Sequence, residues 1–511
     1  MAETADVVET VRQGYAFEGP AIELGALLVD GEPKPDAAVR IPLSMVNRHG
    51  LVAGATGTGK TKTLQLMAEQ LSAAGVAVFA ADIKGDLSGV SQPGQESEKL
   101  LARTKTIGQE WTGSGFPTEF YALGGQGTGI PIRATITSFG PVLLSKVLGL
   151  NDVQESSLGL IFHYADSNGL TLLDLKDLRA VITHLTSDEG KADLKDLGGL
   201  SAATAGVILR SLIGFADQGA EAFFGEPEFD TADLMQQRDG KGVVSLLELP
   251  NLQDRPALFS TFLMWLLADL FHDLPEVGDV DKPKLVFFFD EAHLLFADAS
   301  KAFLNAIAQT VRLIRSKGVG VFFVTQTPKD VPDDVLAQLG SRVQHQLRAH
   351  TPNDAKALKA TVSTFPTSTY DLAEVLTQLG IGEAIVTVMN EKGAPTPVAW
   401  TRLRAPQSLM APATAEQLSA SVQASPNNAK YSEVVDRESA YEKLAAKVQA
   451  GAEQAEAEAK AEPEPKAAPR PQKHEKSMVE QVVGSSAFKQ FARSAGREIV
   501  RGLFGAARRK R

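Results

Sequence analysis

Residues 54–61 read Gly54-Ala55-Thr56-Gly57-Thr58-Gly59-Lys60-Thr61, the spacing G-x-x-x-x-G-K-[ST] in full. Glycines at these intervals let successive backbone N–H groups turn inward around a phosphate chain. The lysine then reaches the terminal phosphates, and the threonine hydroxyl can ligate Mg²⁺. Lys62 extends this candidate nucleotide-binding set by one residue. A second stretch, Lys284-Leu-Val-Phe-Phe-Phe-Asp290-Glu291, is an apolar run that ends in two acids. There Asp290 would hold Mg²⁺ through water, with Thr61 as the other metal-binding residue, and Glu291 would polarise the attacking water. Hydrolysis needs that second acid because the nucleophile must be oriented in line with the leaving group. A third run, Val321-Phe-Phe-Val-Thr325-Gln326, ends in an amide that can reach the γ-phosphate or its water, so Gln326 is the candidate sensor. Together the three stretches point to hydrolysis of ATP with Mg²⁺.

Several arginines could supply charge to the transition state: Arg48 in NRHG, Arg312 and Arg315 in VRLIRSKGVG, and Arg342 in SRVQHQLRA. An arginine donated by a neighbouring subunit is worth about 10³ to 10⁵ in rate, although each of these also reads as a surface ion pair. In the stretch Asp82-Ile-Lys84-Gly85-Asp86, either acid could orient water or meet a neighbouring subunit, and an ordinary acidic turn fits equally well. His293 completes the string DEAH, yet no Arg-rich Q-x-x-G-R-x-G-R segment follows. It reads as a polar residue in the loop leaving its strand.

These motifs need a scaffold that brings strand ends together. After Lys60, TKTLQLMAEQLSAAG has apolar residues at Leu64, Met67 and Leu71 and closes on Gly75, which predicts an amphipathic helix. VAVFAAD then reads as a strand buried on both faces. Strand, glycine loop, helix and strand open a doubly wound α/β domain. The pieces AIELGALLV and AAVRIPL predict a short N-terminal β element over residues 1–50, ahead of a first core part over 51–140. Residues 141–237, with PVLLSKVLGL, LLDLKDLRAVITHL and SAATAGVILRSLIGF, read as an all-helical insertion. The core resumes over 238–405, where strand-like and helix-like runs alternate. Beyond it, Ala, Glu, Lys and Pro enrichment predicts a linker over 406–476, in which LAAKVQAGAEQAEAEAKAEPEPKAAPRPQ reads as helical at first and as solvated chain by the prolines. Over 477–511, Phe488, Phe491, Ala495, Ile499 and Leu503 share one helical face and Arg493, Arg497 and Arg501 another, predicting a basic amphipathic tail helix. The expected fold class is α/β with a mostly parallel sheet.

The chain has 511 residues, 43% hydrophobic and 22% charged, enough for a substantial core and more than one domain. It has no cysteine, which excludes disulfides and thiolate metal sites and fits a reducing, cytoplasmic setting. Neither a signal peptide nor a membrane-spanning segment is expected; the most apolar run, Phe259 to Phe271, is too short to span a bilayer. Net charge is −11, which offers no global attraction to a phosphate backbone. Residues 477–511 alone carry eight Lys or Arg against two Glu. Any nucleic-acid contact must therefore be local, in that tail or in a pore.

The motif set resembles the HerA-FtsK superfamily of ring-forming motor ATPases. More narrowly, NRHGLVAGATGTGKTKTLQ, DIKGDLSG and SSAFKQFARSAGREIVRGLFG look like the YjgR-like family, which carries a HerA-like helicase domain. The resemblance implies a RecA-like P-loop core working as a hexamer, with ATP at subunit interfaces and an arginine reaching in from the neighbour. Arg48 and Arg315 match the family's arginine positions, and Lys60, Thr61, Asp290, Glu291 and Gln326 match its P-loop, Walker B and sensor positions. The expected function is a DNA translocase or helicase-type ATPase. Two alternatives stay open: an ATP-driven protein remodeller or pump, with a protein partner docking on the tail, and a nucleotide-dependent switch.

Overall fold

The structure, a computed structural model, describes residues 2–194, 198–249, 255–296 and 301–461. The tail helix expected over 477–511 lies outside them. The strands are β1 (Ala21–Val29), β2 (Glu32–Pro42), β3 (Gly50–Ala53), β4 (Ala77–Asp82), β5 (Thr118–Leu123), β6 (Ile130–Ile132) and β7 (Gln237–Arg238), followed by β8 (Lys241–Gly242), β9 (Val244–Glu248), β10 (Leu285–Phe289), β11 (Val319–Thr325), β12 (Ser341–Gln344), β13 (Glu383–Thr387) and β14 (Ala399–Leu403). Twelve of them form one sheet in the order β2-β1-β14-β13-β12-β3-β11-β10-β4-β9-β5-β6, and β7 pairs with β8 apart from it.

From β12 to β6 every neighbouring pair is parallel. From β12 to β2 every pair is antiparallel. The N-terminal strands thus extend the sheet through β14, a strand more than 370 positions later in the sequence. Parallel strands covered on both faces read as unbroken apolar runs, and β10 and β11 are buried along their whole length. Successive side chains on β10 enter different layers: Phe287 and Phe289 join one core, Phe288 the other. The first core takes in the helices Pro256–Asp273 and Lys301–Ile314, and the second takes Leu64, Met67 and Leu71 of the helix Lys60–Ala73. Helices on both faces of a parallel sheet leave the strand ends as the open edges where ligands bind.

The helices Ile136–Val147, Asp152–Ser167, Leu175–Thr186 and Ala202–Asp217 pack on the first core, and Asp188–Asp193 packs on Leu175–Thr186. Each begins where a hydroxyl or carboxamide/carboxylate side chain takes an orphan N–H of the first turn: Thr135, Asn151, Asp174, Ser187 and Ser201 respectively. Helix therefore starts at Ile136, ahead of Pro141, with a kink at Gly140 (φ 75°). Ahead of it, the chain is extended over Ile130–Ile132 as β6.

The solvated linker expected from 406 is not what the structure shows over its first part. Gln65 Nε2 donates to Ser408 Oγ (2.7 Å) and to the Leu409 carbonyl (2.8 Å). Trp111 Nε1 donates to the Pro406 carbonyl at 2.7 Å. Tyr431 is fully buried in the first core, and its hydroxyl donates to Asp233 at 2.6 Å. The helix Ala440–Ala461 packs on the helix Leu175–Thr186, where Tyr441 N–H donates to Asp177 at 2.9 Å. Composition averaged over the stretch hides this docking, because a few anchor residues meet partners hundreds of positions away. The Pro-rich part of the expected linker lies beyond the described residues.

Candidate nucleotide site

The P-loop leaves β3 at Gly54 and enters the helix Lys60–Ala73 at Gly59, whose φ of 115° is open to glycine and strained for other residues. Gly54 is required by contact as well, since a Cβ there would lie 2.4 Å from the Cβ of His345. Lys60 is 8% exposed, and its ammonium donates to the Gly54 carbonyl at 2.7 Å and to that of Ala55 at 3.2 Å. Burial holds its pKa below the usual lysine range, against the pull of Glu291. Thr58 Oγ donates to the Ala55 carbonyl at 2.8 Å. Thr56 and Gly57 are exposed at the loop tip, and Ala55, Thr61 and Lys62 are half-buried. Lys62 does not turn into the cradle: its ammonium donates to Gln65 Oε1 at 3.1 Å along its own helix.

The outer wall of the loop is held by residues beyond β12. Gly382 N–H donates to the Thr58 carbonyl at 3.2 Å, and Arg348 donates to that of Thr56 at 3.2 Å. Beneath the loop His345 is fully buried, with Nε2 2.9 Å from Thr63 Oγ, and burial lowers its pKa to about 4, so it is neutral. Nothing in the sequence singled out His345; it follows β12, and only the pairing of β12 with β3 brings it under the phosphate loop.

Asp290 and Glu291 stand at the end of β10. Asp290 is 7% exposed; its Oδ1 accepts the Glu291 N–H at 2.9 Å, while Oδ2 has no partner among the described residues. Burial, reinforced by Glu291, pushes its pKa up to about 7. Glu291 has a left-handed backbone, φ 47°, and is equally buried. Burial alone would raise its pKa, but the ion pair with Lys84 outweighs burial and holds it below the usual carboxylate value. His293 Nδ1 lies 3.3 Å from Glu291 Oε2 without hydrogen-bond alignment.

Asp82 is fully buried and accepts the backbone N–H groups of Gly85 (2.7 Å), Asp86 (3.2 Å) and Leu87 (2.8 Å). Its carboxylate is spent on shaping the turn that carries Lys84, which is the residue of this stretch that touches the site. Glu248, opposite Asp82 at the end of β9, was not anticipated either; burial, with Asp82 and Asp86 nearby, pushes its pKa to about 8. Gln326 is exposed directly after β11, whose Thr325 carbonyl accepts the Gly54 N–H at 3.1 Å. The ends of β3, β11, β10 and β4 therefore bring together the P-loop, Gln326, Asp290, Glu291 and Lys84.

The arginines lie elsewhere. Arg48 precedes β3, and Arg312 and Arg315 precede β11, so all three sit at the opposite edge of the parallel strands. β11 alone spans about 23 Å at the rise of a strand. Arg48, His49, Arg312 and Arg315, with Gln338 and Met389, line a cavity of about 390 Å³ at that far edge. Arg48 meets Asp279 at 3.4 Å, with Nε buried and without a partner among the described residues. His49 Nδ1 accepts the Val321 N–H at 3.0 Å, and burial lowers its pKa to about 4. Burial, with Arg48 nearby, lowers the pKa of Arg315. Arg342 is engaged with the Thr364 carbonyl at 3.2 Å. The structure brings none of these arginines to the P-loop of its own chain.

The site fits a phosphate chain and a hard cation. Its loop offers backbone donors, and Asp290 offers a buried oxygen with no partner among the described residues. No group of three or more His, Asp or Glu residues able to hold a metal occurs among the described residues. Asp290 and Thr61 would supply the one or two protein oxygens that a Mg²⁺ ion takes beside substrate phosphates and water.

Among solved structures, the bacterial conjugative coupling protein TrwBdeltaN70 superposes with a TM-score of 0.52 at 16% identity, covering 79% of this chain and 93% of its own. TrwB bound to the non-hydrolysable ATP analogue ADPNP gives 0.51 at 16%, covering 78% and 93%. These matches show a shared RecA-like P-loop fold. In sequence, the "DNA double-strand break repair helicase HerA" of Sulfurisphaera tokodaii is 23% identical over 378 residues, 72% of this chain and 67% of that protein. The "Probable helicase MJECL08" of Methanocaldococcus jannaschii is 33% identical over 153 residues, 28% of each chain. The sequence profile described as "Helicase HerA-like C-terminal" matches residues 28–511, and the chain belongs to that family of P-loop ATPases.

Proposed function

We propose that this chain is an ATP-hydrolysing motor that moves along duplex DNA as a ring, with a hexamer expected, each nucleotide held by one subunit and met by arginines of the next. The observation that carries this reading is the separation of Arg48 and Arg315 from the P-loop of their own chain. In a ring of like copies the arginine edge of one subunit can face the phosphate edge of another, so a site incomplete in the monomer becomes complete.

In that site the P-loop N–H groups and the N-terminus of the helix Lys60–Ala73 hold the phosphates. Lys60 exchanges its two carbonyl partners for phosphate oxygens. Thr61 and Asp290 hold Mg²⁺, which supplies charge neutralisation on the phosphate oxygens when bound. Glu291 orients the attacking water, Gln326 aligns it with the terminal phosphate, and Arg48 or Arg315 of the neighbour meets the charge that develops as the β–γ bridge breaks. DNA as the substrate is supported by the names of the relatives, which are described as helicases. With a net charge of −11, contact with DNA is confined to a pore or to the basic residues 477–511. The same tail is the proposed attachment for any protein partner, and a motor using ATP on DNA works in the cytosol.

The test is the ATPase rate with and without double-stranded DNA, across salt concentrations, on a sample of known oligomeric mass. Stimulation by DNA in an oligomer is expected. A rate indifferent to DNA, with no DNA binding, would favour a protein pump, and a stable monomer with ATP bound would reduce the chain to a switch.

A further inference from the structure

We propose that Lys84 is a positioning residue for hydrolysis, whose ammonium pins the Glu291 carboxylate in the direction from which it meets the attacking water. The inference rests on the role given to Glu291 above. β4 and β10 are parallel neighbours with Ala81 opposite Phe289, so the chain leaves both strands side by side. Past β4, Asp82 gathers the N–H groups of Gly85, Asp86 and Leu87 into a tight turn, with Gly85 at φ 71°. That turn carries Lys84 back across the strand ends to an ion pair with Glu291 Oε1.

Glu291 needs such a partner. Its backbone is left-handed, a conformation that costs a side-chain-bearing residue about 1–2 kcal/mol. Its second oxygen faces His293 at 3.3 Å without hydrogen-bond alignment. Lys84 is therefore the closest charged contact on the carboxylate among the described residues. The lysine side chain is 43% exposed and that of Glu291 8%, so the buried acid is held from the open side of the site. Asp82 acts one step further out, by shaping the turn from which Lys84 reaches.

The experiment compares kcat, KM and equilibrium ATP binding for Lys84→Met, Lys84→Arg, Glu291→Gln and the double variant Lys84→Met with Glu291→Gln, all in the full chain. Misplacing a reacting group by about 1 Å can cost 10²-fold, so Lys84→Met is expected to lower kcat about 10- to 100-fold. KM and ATP binding stay as in wild type, and Lys84→Arg recovers most of the lost rate. In the Glu291→Gln background Lys84→Met lowers the residual rate no further, because there is no carboxylate left to position. Unchanged kcat in Lys84→Met, with Glu291→Gln inactive, overturns the proposal and leaves the role of Glu291 standing. Weakened ATP binding with an additive loss in the double variant also overturns it, by putting Lys84 on the phosphates. Normal turnover by Glu291→Gln overturns the reading beneath it, and this inference with it.

Discussion

Glu69, on the P-loop helix, accepts the backbone N–H of Gln407 at 2.7 Å and that of Ser408 at 3.1 Å, and the Ser408 hydroxyl at 2.9 Å. A segment more than 330 positions away is thereby fastened to the helix that begins at Lys60. Glu69 is 1% exposed, and burial pushes its pKa up to about 7 despite these donors.

A pH dependence of stability follows. The folded carboxyl binds its proton more tightly than the unfolded one, so its contribution is full below about pH 4.5 and is lost as pH rises through about 7. The shift corresponds to about 3 kcal/mol. Comparing thermal midpoints of wild type and Glu69→Gln between pH 8 and pH 6 should show the difference moving in favour of wild type as pH falls. A difference constant across that range would contradict the assignment.

Glu291→Gln should bind ATP as wild type does and turn over about 10²- to 10⁴-fold more slowly, the range general-base loss produces. The amide keeps the size of the carboxylate but cannot accept the proton. Single-turnover kinetics beside a nucleotide-binding titration separate the two effects; loss of binding would mean that Glu291 supports the site's structure instead.

The contrast between Glu291 and Lys84 shows what was legible in the sequence. The P-loop, the Asp290-Glu291 pair and Gln326 each end an apolar run, because strands buried on both faces leave polar residues only at their tips. Such residues can be found one strand at a time. Lys84, Glu248 and His345 reach the site through sheet order, with β4 between β10 and β9, and β12 beside β3. Sheet order is decided by packing across the whole chain, so local spacing singles out the stretch that holds Lys84 without revealing its contact with Glu291, and does not single out Glu248 or His345 at all. The same holds for β1, which pairs with β14 more than 370 positions away. Residues 405–431 escaped because their docking depends on single anchors such as Ser408 and Tyr431 rather than on an apolar periodicity.

If Arg48 or Arg315 acts on a neighbour's nucleotide, two inactive variants should complement each other. Arg48→Ala keeps an intact P-loop, and Lys60→Ala keeps an intact arginine. Each alone should be slowed strongly, by about 10³- to 10⁵-fold for loss of an essential arginine. Mixed and reassembled, they form interfaces with both halves intact, and turnover should reappear. The same mixing with Arg315→Ala tells which arginine matters. No recovery in demonstrably mixed assemblies would place the arginines outside catalysis.

The P-loop glycines should differ in what they tolerate before any nucleotide is present. At Gly54 a methyl group would meet His345 Cβ at 2.4 Å and the His345 backbone carbon at 3.2 Å, while Thr58 Oγ lies 3.0 Å away. His345 cannot retreat, because it is fully buried and its ring is tied to Thr63. At Gly57 nothing among the described residues lies within 4 Å, so a methyl group meets only the cost of φ 82°, about 1–2 kcal/mol. Overpacking a buried contact adds about 1–3 kcal/mol to the backbone strain at Gly54. Gly54→Ala should therefore lower the unfolding midpoint clearly more than Gly57→Ala when both are measured without nucleotide. Removing the neighbour's Cβ separates contact from strain: His345→Gly should partly relieve Gly54→Ala and leave Gly57→Ala unchanged. Equal midpoints for the two glycine variants would mean that the loop gives way at Gly54, and that β12 does not brace it from below.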